Sequence, residues 1–441
     1  MKMNNFFENL NIFFVGIGGI SMSGLSRLCK SLKSKVSGSD INFNAECQKL
    51  QSENIKVYNH HDPKHITKDI DLVVFSGAIS KNNCELIQAK KLGIKTLERS
   101  KLLGLISQQY SHVIAISGTH GKTTTVSLLS EIFLKANKNP TIHIGGESVN
   151  LNDNTIIGGK DYFIVEACEY RKSFLSLKPE MACITNIDAD HLDYYKDYKE
   201  IHKTFEKFAK NSGHLVSYLN IKHKNIIDLN KDFRVENIKF CDFGYTFDVY
   251  KNNSLYDNFR INCLGCHNIK NALCAIAISD FYGISKDTIK DAVQSFRGVK
   301  RRYEIIGEIQ NTKVMIDYAH HPTEIKNSIE GLKNYYKNIL IIFQPHTYSR
   351  TLTLFDDFVR VLKRIKHLII YKTYPARESK ITGGDATDLY NQLGGDVKYF
   401  DNFDSLKLSI QNTLKRDNFD LILILGAGDL AEIFKEYLNT Y

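Results

Sequence analysis

The chain has 441 residues, 43% of them hydrophobic and 24% charged, and a formal net charge of +9. These proportions are ordinary for a folded protein of roughly two to four domains, and they argue against a disordered or fibrous chain. No apolar run reaches the ~20 residues of a membrane-spanning helix, and Glu8 interrupts the weak N-terminal apolar stretch. We therefore expect a cytoplasmic protein with no membrane partner, and the evenly spread lysines predict no nucleic-acid partner.

Short, nearly continuous apolar strands alternate with amphipathic helices along the whole chain. Such runs are apolar on both faces, as in parallel strands covered by helices, so the predicted fold class is α/β. The predicted strands are residues 12–17, 72–75, 112–117, 162–167, 181–185, 314–318, 339–343, 367–371 and 421–425. They fall into three α/β blocks, which we predict to be domains at 1–108, 109–298 and 299–441. The polar motifs mostly follow a strand, where open α/β sheets bind ligands.

A glycine loop joins the first strand to the helix that follows it. Its candidate binding residues are Gly16, Gly18, Gly19, Ser21, Met22 and Ser23. Such a loop lets a phosphate sit on the helix N-terminus, and Asp40, directly after Ser39, lies where a ribose-binding acid would fall. A dinucleotide dehydrogenase would share these features, but Ser21 replaces the third glycine of G-x-G-x-x-G and a second phosphate motif follows. A tight turn without a ligand is the other alternative.

The second block begins with a phosphate-loop pattern between a strand and a helix. Its residues are Gly118, Thr119, His120, Gly121, Lys122, Thr123 and Thr124. Backbone N–H groups can cradle phosphate oxygens, Lys122 can reach the β- and γ-phosphates, and the Thr123 hydroxyl can bind Mg²⁺. The strict G-x-x-x-x-G-K-T pattern has glycine at position 116, where this chain has Ile116. The flanking strand and helix are correct, so the motif predicts ATP binding.

Acidic residues and a histidine follow the next two predicted strands. Glu166 closes the strand 162–167, and His191 ends the run Asp188-Ala189-Asp190-His191 after the strand 181–185. Carboxylates and imidazoles at strand ends suit divalent cations that bridge phosphates. A solvated polar loop would have the same composition, but the neighbouring phosphate loop favours a metal site. We predict that Thr123, Glu166 and His191 bind Mg²⁺, with Mn²⁺ as an alternative ion.

Nine motifs in order resemble those of the Mur ligase family and cover essentially the whole chain. They are GIGGISMSG at 16–24, GTHGKTTT at 118–125, VEACE at 165–169, TNIDADH at 185–191, GCHNIKN at 265–271, KRRY at 300–303, DYAHHPTE at 317–324, FQPH at 343–346 with SRT at 349–351, and GAGD at 426–429. One such motif would be weak, whereas nine in this order are specific.

The resemblance implies a three-domain enzyme with a defined reaction. It implies an N-terminal Rossmann-like domain for a UDP-sugar, a central P-loop ATPase-like domain with a mostly parallel sheet, and a C-terminal Rossmann-like domain for the amino acid. The implied activity joins L-alanine to the carboxylate of UDP-N-acetylmuramate, with ATP and Mg²⁺, through an acyl phosphate. This is the first amino-acid addition in peptidoglycan precursor synthesis.

The resemblance also implies roles for individual residues. The glycine loop with Ser39 and Asp40 would bind the UDP-sugar. The adenine contacts would be His267, Asn268 and Asn271, Asp317 would lie near the ribose, Arg301 and Arg302 would reach the ATP phosphates, and His346 and Arg350 would face the amino acid. Helix N-capping is the alternative role for the two asparagines. His191 and His346 are both candidates to accept the amine proton, and one of His320 and His321 is expected to be structural.

Other readings of the sequence compete with this one. The C-x-x-C-H spacing at 263–267 is that of c-type haem attachment. The resemblance instead implies that this segment belongs to the adenine site. The run Cys168-Glu169-Tyr170-Arg171 departs from the Asp-Glu-Ser-Asp of many family members, so its role is open. The nearest rival function is a murein tripeptide ligase. A dehydrogenase, a non-catalytic nucleotide-binding regulator and a nucleic-acid binder are more remote, and nothing in the sequence indicates an oligomeric state.

Overall fold

The computed structural model describes residues 6–145, 153–376 and 378–439. Within them the chain folds into α/β blocks built on three mainly parallel sheets, with a small antiparallel sheet beside the second. None of the helices in this part of the chain combines the length and the apolar character that crossing a bilayer requires.

The first block builds a five-stranded parallel sheet. Its strands are β1 (Asn11–Val15), β2 (Lys35–Ser39), β3 (Lys56–Tyr58), β4 (Leu72–Phe75) and β5 (Lys95–Glu98). Its helices are α1 (Ile20–Ser31), α2 (Ala45–Ser52), α3 (Cys84–Lys91) and α4 (Arg99–Ser107). The strand order is β3-β2-β1-β4-β5, with every neighbouring pair parallel. The chain reverses its direction of winding next to β1, which places the glycine loop at the ligand-binding edge of the sheet.

The second block builds a seven-stranded sheet. Its strands are β6 (His112–Ser117), β7 (Thr141–His143), β8 (Thr155–Ile156), β9 (Tyr162–Glu166), β10 (Met181–Ile184), β11 (His214–Ser217) and β12 (Ile226–Asp228). Its helices are α5 (Lys122–Lys135), α6 (Tyr198–Lys210), α7 (His267–Phe281) and α8 (Lys286–Ser295). The order is β12-β11-β10-β6-β9-β7-β8, and only β7 and β8 pair antiparallel among these strands. The carboxyl ends of β6, β9 and β10 therefore meet at one edge.

A three-stranded antiparallel sheet, which the sequence analysis did not predict, follows in the chain. Its strands are β13 (Phe233–Cys241), β14 (Gly244–Lys251) and β15 (Ser254–Ile261). Phe247 and Phe259 are fully buried in the core that this sheet shares with α7 and α8. The hairpin tip between β13 and β14 reaches the third block, where Phe243 stacks on Tyr335 with 4.5 Å between the ring centroids.

The third block builds a six-stranded sheet. Its strands are β16 (Glu304–Ile309), β17 (Thr312–Asp317), β18 (Ile339–Phe343), β19 (Leu368–Tyr371), β20 (Lys398–Phe400) and β21 (Leu421–Leu425). Its helices are α9 (Pro322–Leu332), α10 (Tyr348–Thr353), α11 (Phe355–Leu362), α12 (Ala386–Leu393), α13 (Phe403–Arg416) and α14 (Leu430–Asn439). The order is β16-β17-β21-β18-β19-β20, parallel except for the edge pair β16–β17.

The apolar cores do not follow the three blocks. One buried cluster includes Phe14 of β1 and Leu102 of α4, and it continues to Phe163 of β9, so the first sheet and one face of the second share a core. The two faces of the third sheet carry separate clusters, around Phe343 and Ile424. The predicted α/β class is confirmed, whereas the domain boundaries at 108/109 and 298/299 stay a prediction.

Candidate active site

The phosphate loop connects β6 to α5 in a conformation that two glycines allow. Gly118 has φ of +139°, and a Cβ there would collide with the hydroxyl of Thr185. Ile116 lies inside β6 and is fully buried, so this loop needs its first glycine at 118 and not at 116. No side chain caps α5 at Gly121, which leaves the positive end of the helix facing the loop, where a phosphate would bind.

Lys122 is held at the start of α5 by oxygen atoms of three residues. Its Nζ donates to the carbonyl oxygens of Gly118 (2.6 Å) and Thr119 (3.0 Å) and lies 3.0 Å from a carboxylate oxygen of Glu169. Burial by itself would lower the pKa of Lys122, but the carboxylate of Glu169 outweighs it and raises that pKa. Lys122 therefore stays a cation at any physiological pH.

The residues predicted to bind a metal line one cavity of about 700 Å³ at the edge of the second sheet. The hydroxyl of Thr123 donates to Oε2 of Glu166 (2.9 Å), which also accepts the backbone N–H of Gly145 (3.1 Å). His191 points toward a neighbouring acid, because its Nε2 lies 3.6 Å from Oε1 of Glu169. The structure thus brings Thr123 and Glu166 into contact and places His191 on the same cavity wall.

His120 of the phosphate loop forms ion pairs on both sides of its ring. Nε2 lies 3.0 Å from Oδ2 of Asp188, and Nδ1 lies 3.2 Å from Oε1 of Glu324 in α9. The same Asp188 oxygen accepts the hydroxyl of Thr323 (2.9 Å). Burial lowers the pKa of His120, but the two carboxylates outweigh it and raise that pKa to about 9. The protonated imidazole therefore connects the phosphate loop to the third block.

His120, Asp188 and His321 have the residue types of a metal site, with candidate ligand atoms within 4.8 Å of one another. A metal ion bound here would have to displace the proton of His120, whose pKa the two neighbouring carboxylates raise. In the structure, His120 and Asp188 pair with each other instead. His321 also caps α9, since its Nδ1 accepts the N–H of Thr323. His321 is therefore the structural member of the histidine pair, and His320 lines the 700 Å³ cavity.

The two arginines predicted to reach the ATP phosphates have different surroundings. Arg301 donates from Nη2 to the carbonyl oxygen of Gly428 (2.8 Å), on the glycine turn after β21. Arg302 lies 3.2 Å from Glu324 and 3.5 Å from Asp317. Both arginines line the 700 Å³ cavity, as does Lys122. Their role toward phosphates stays a prediction.

The residues predicted to bind adenine and ribose line a second cavity of about 360 Å³, between α7 and the third block. His267 is neutral there, because burial, assisted by Arg302, lowers its pKa to about 4. Asn268 donates to the carbonyl oxygen of Leu264 (2.7 Å), and Asn271 donates to Asn268 (3.0 Å).

The cap of α7 and the buried acid complete this cavity. The N-cap residue is Cys266, without a side-chain hydrogen bond, so helix capping does not explain the two asparagines. Asp317 accepts the N–H groups of Ala319 (2.8 Å) and Tyr303 (3.2 Å), and burial raises its pKa. The wall of this cavity therefore carries an imidazole group, together with amide and carboxylate groups that are held in place by hydrogen bonds.

The candidate amino-acid residues line a third cavity of about 210 Å³. Nε of Arg350 lies 3.2 Å from Oδ1 of Asp190, and its Nη1 lies 3.2 Å from Nδ1 of His346. Burial and the Arg350 charge lower the pKa of His346 to about 4. Asp190, His191 and Arg350 line both this cavity and the 700 Å³ cavity, so the two are neighbours with a common wall.

The glycine loop of the first block is held by its own acid. The N–H of Gly18 donates to Oδ2 of Asp40 (2.9 Å), and the N–H of Gly16 donates to the carbonyl oxygen of Ser39 (2.8 Å). The hydroxyl of Ser21 accepts from Arg99 (2.9 Å) and lies 3.0 Å from His143, at the boundary with the second block. The side chains of three other predicted contacts are buried inside the first block: Met22, Ser23 and Ser39.

Four acidic residues of the site were not assigned by the sequence analysis. They are Glu169, Asp188, Asp190 and Glu324. The first three follow β9 or β10, so the cue that selected Glu166 and His191 could have selected them. Glu324 begins a helix in another block, and only its place in the DYAHHPTE motif could have indicated it.

Comparison with known proteins gives matches along the whole chain. Three family models match: "Mur ligase family, catalytic domain" at residues 11–111, "Mur ligase middle domain" at 116–279 and "Mur ligase, glutamate ligase domain" at 301–428. A UDP-N-acetylmuramate--L-alanine ligase of Clostridium kluyveri is 41% identical, with 99% of each chain covered. The enzyme of that name from Clostridium acetobutylicum is also 41% identical, over 97% of each chain.

Solved structures agree with the sequence matches. The UDP-N-acetylmuramate-alanine ligase MurC of Thermotoga maritima has a TM-score of 0.81 at 25% identity, covering 98% of this chain and 100% of that one. A murein peptide ligase of Psychrobacter arcticus has a TM-score of 0.72 at 24% identity and covers 98% of both chains, which shows the shared fold. The resemblance inferred from nine motifs is confirmed over the full length, and this chain belongs to the Mur ligase family.

Proposed function

We propose that this chain is an ATP-dependent ligase that joins L-alanine to the carboxylate of UDP-N-acetylmuramate. The observation that carries the proposal is the common wall of two cavities: Asp190, His191 and Arg350 line both the cavity of the phosphate loop and the smaller cavity beside it. A phosphorylated acid formed in the first would lie within reach of an amine bound in the second. The Clostridium relatives that carry this ligase name support the choice of substrates.

The reaction needs two anions to approach each other. The muramate carboxylate attacks the γ-phosphorus of ATP, ADP leaves, and the amine of L-alanine then displaces phosphate from the acyl carbon. Lys122, Arg301 and Arg302 supply positive charge around the 700 Å³ cavity and stabilise the charge that develops on the transferred phosphoryl group. Neighbouring acids hold Lys122 and Arg302, and the carbonyl oxygen of Gly428 holds Arg301, so these charges need little rearrangement when the reaction occurs.

We assign a Mg²⁺ site to Thr123 and Glu166, with His191 as a third ligand. The hydroxyl and carboxylate oxygens of the first two are hard donors, are already 2.9 Å apart, and lie at the start of α5, where ATP phosphates would bind. When bound, the ion would neutralise phosphate charge. His346, whose pKa burial lowers to about 4, is a poor acceptor for the amine proton at neutral pH.

We propose that the three blocks act as the three domains of the enzyme, for the UDP-sugar, ATP and the amino acid. The glycine loop with Asp40 would bind the UDP-sugar, the cavity with His267, Asn268 and Asn271 would bind adenine, and His346 and Arg350 would face L-alanine. Since ATP and nucleotide sugars are cytoplasmic substrates, we also propose a cytoplasmic location.

The direct test is phosphate release by the purified protein with UDP-N-acetylmuramate, ATP, Mg²⁺ and a panel of amino acids. We expect release that depends on all four components and is fastest with L-alanine. Omission of the amino acid should abolish turnover, because the acyl phosphate then has no acceptor. Absence of release with every amino acid would contradict the proposal.

The second candidate function is addition of a murein tripeptide to the same acceptor. It is favoured by the fold shared with the Psychrobacter arcticus murein peptide ligase. Comparing ADP formation with L-alanine and with the tripeptide L-alanyl-γ-D-glutamyl-meso-diaminopimelate separates the two functions. Each function predicts a strong preference for one of these two amine substrates.

A further inference from the structure

We propose that Tyr170 is a specificity-determining residue whose ring closes the amino-acid end of the active site and admits only a small side chain. This inference rests on the proposed function, because it concerns the amino acid that the ligase accepts. Tyr170 belongs to the Cys168–Arg171 run, to which the motifs assign no role.

The residues before and after Tyr170 both contact other parts of the molecule. The preceding residue, Glu169, is buried and binds Lys122. The following residue, Arg171, donates from Nη1 to the carbonyl oxygen of Gly77 in the first block (3.2 Å). Tyr170 therefore stands between the phosphate loop and a neighbouring block, where a small change of position would disturb both contacts.

The side chain of Tyr170 is also held at both ends. Its hydroxyl donates to Oδ2 of Asp193 (2.9 Å), and its ring packs on His191 with 4.7 Å between the ring centroids. Arg171 covers the ring, with Cζ 5.5 Å from its centroid. A ring fixed at both ends forms a wall of constant position, which selection by size requires.

The position of this wall follows from the two adjoining cavities. An acceptor amine must face the 700 Å³ cavity, where Lys122 lies, and Arg350 on the common wall is the cation that can bind the carboxylate. The remaining substituent of the amino acid then points to the part of the small cavity that the two do not share. Tyr170, Leu192 and Leu354 lie there.

The ring of Tyr170 limits the space in the small cavity. That cavity has a volume of about 210 Å³, and Tyr170 is one of the residues that line it. One additional methylene against an apolar wall changes discrimination by about 10- to 200-fold. By excluding one methylene, a fixed aromatic ring on the cavity wall separates L-alanine from the next larger amino acid by this factor.

The test compares Tyr170→Ala with Tyr170→Phe, using phosphate release at saturating UDP-N-acetylmuramate and ATP. For each variant, kcat/KM is measured for glycine, L-alanine, L-2-aminobutyrate and L-valine. Tyr170→Ala should raise the ratio of L-2-aminobutyrate to L-alanine by about tenfold or more, because space replaces the ring. Tyr170→Phe keeps the ring and should keep the wild-type ratio. Tyr198→Ala removes an exposed tyrosine from α6, outside the cavity, and should change nothing.

Leu192→Ala is the second variant at the same end of the cavity, and it should shift the ratio in the same direction even if Tyr170→Ala does not fold. An active Tyr170→Ala enzyme with all four values lowered equally would overturn the inference, since that is the effect of a purely structural residue. An equal shift in Tyr170→Phe would overturn it in favour of the bond to Asp193. A wild-type protein inactive with every amino acid would instead contradict the proposed function.

Discussion

The side chain of Lys122 is largely buried, with 14% of its surface exposed. Its ammonium is bonded to two loop carbonyls and to Glu169, whose side chain is only 3% exposed. A triphosphate bound on the loop would be a second anionic partner for Lys122, which already stabilises the buried carboxylate of Glu169. The residue therefore has two separable contributions, one to the reaction and one to the free energy of unfolding.

Lys122→Ala should lower kcat at least a hundredfold. Removing one well-placed donor to a developing anion costs about 2.7–4 kcal/mol of transition-state stabilisation, and steady-state phosphate release measures it. Lys135→Ala, at the other end of the same helix, is the matched control, because Lys135 takes part in an exposed ion pair with Asp291. Turnover within a few-fold of wild type in Lys122→Ala would rule out the assigned role.

The same substitution should also lower the melting temperature, because it leaves Glu169 buried without its lysine partner. Lys122→Ala combined with Glu169→Gln should recover most of the lost stability but none of the lost turnover. Thermal unfolding of the single and double variants measures the difference. Equal melting temperatures for the two variants would show that the pair does not stabilise the fold.

Gly121→Ala should raise the KM for ATP strongly. Gly121 has φ of +82°, and a Cβ there would collide with the side-chain amide of Asn271, which lines the predicted adenine cavity. Gly93→Ala is a close control: its φ is +71°, but no atom lies within 4 Å of the added Cβ. Both substitutions incur the backbone cost of roughly 1–2 kcal/mol, and only the first displaces Asn271. Similar kinetics for both variants would contradict a role for this contact.

The sequence predicted which loops carry the site better than it predicted the partners of each residue. Lys122, Thr123 and Glu166 could be selected because each lies at the end of a recognisable strand or shortly after one. The pairing of His120 with Glu324 joins residues 204 positions apart, and no local spacing encodes it. Ser39 looked like a ligand contact at a strand end, yet its side chain is buried against Glu85 (2.6 Å).

At the scale of single elements, helix α9 is the part of the third block that contacts the phosphate loop. Thr323 and Glu324 in its first turn bind Asp188 and His120. Acidic groups in the first turn of a helix also interact favourably with its dipole. The contact between these elements therefore depends on the protonation of one imidazole.

Stability should fall as pH rises above neutrality, in part because His120 loses its proton. Its pKa is raised from 6.5 to about 9 in the folded protein, so its contribution is complete below pH 6.5 and is lost as pH rises through about 9. The melting temperature of wild type should exceed that of His120→Gln at pH 6.5, and the difference should shrink by pH 9.5. His202→Gln, on the surface of α6, is the control. A difference independent of pH would contradict the ion-pair arrangement.

The predicted and unpredicted strands differ in a physical way. The nine predicted strands occur in the structure within two residues of their predicted ends, because buried parallel strands are apolar on both faces. Strand β13 is exposed over much of its length and reads FRVENIKFC, so its apolar residues do not form a continuous run. The short strands β3 (KVY) and β5 (KTLE) also lack a long continuous apolar run.

At the scale of the whole molecule, the three blocks are joined in two different ways. The first and second sheets are held by one continuous apolar core. The third block meets the phosphate loop and its neighbours mainly through polar contacts, including Arg350 with Asp190 and His120 with Glu324. Apolar cores transmit unfolding between the elements that share them.

Two matched substitutions should therefore destabilise different sets of strands. Phe163→Ala, in the shared core, and Phe343→Ala, in the third sheet, each remove a fully buried ring, at a cost of about 3–5 kcal/mol. Hydrogen exchange measured by mass spectrometry at increasing urea should show earlier opening of both β1 and β6 in the first variant. The second variant should open β21 earlier and leave β1 unchanged. Opening of β1 independently of β6 would contradict a common core.

The 700 Å³ cavity lies at this polar boundary between the second and third blocks, which we call the seam. It is lined by Lys122 from the second block and by Arg302 from the third. Structures obtained with different ligands should accordingly superpose over the first and second sheets and differ in the orientation of the third sheet. An inhibitor that touches both sides of the seam would bind only one orientation tightly. The potency of the inhibitor would then change with any substitution that alters the population of that orientation, even a substitution far from the bound compound.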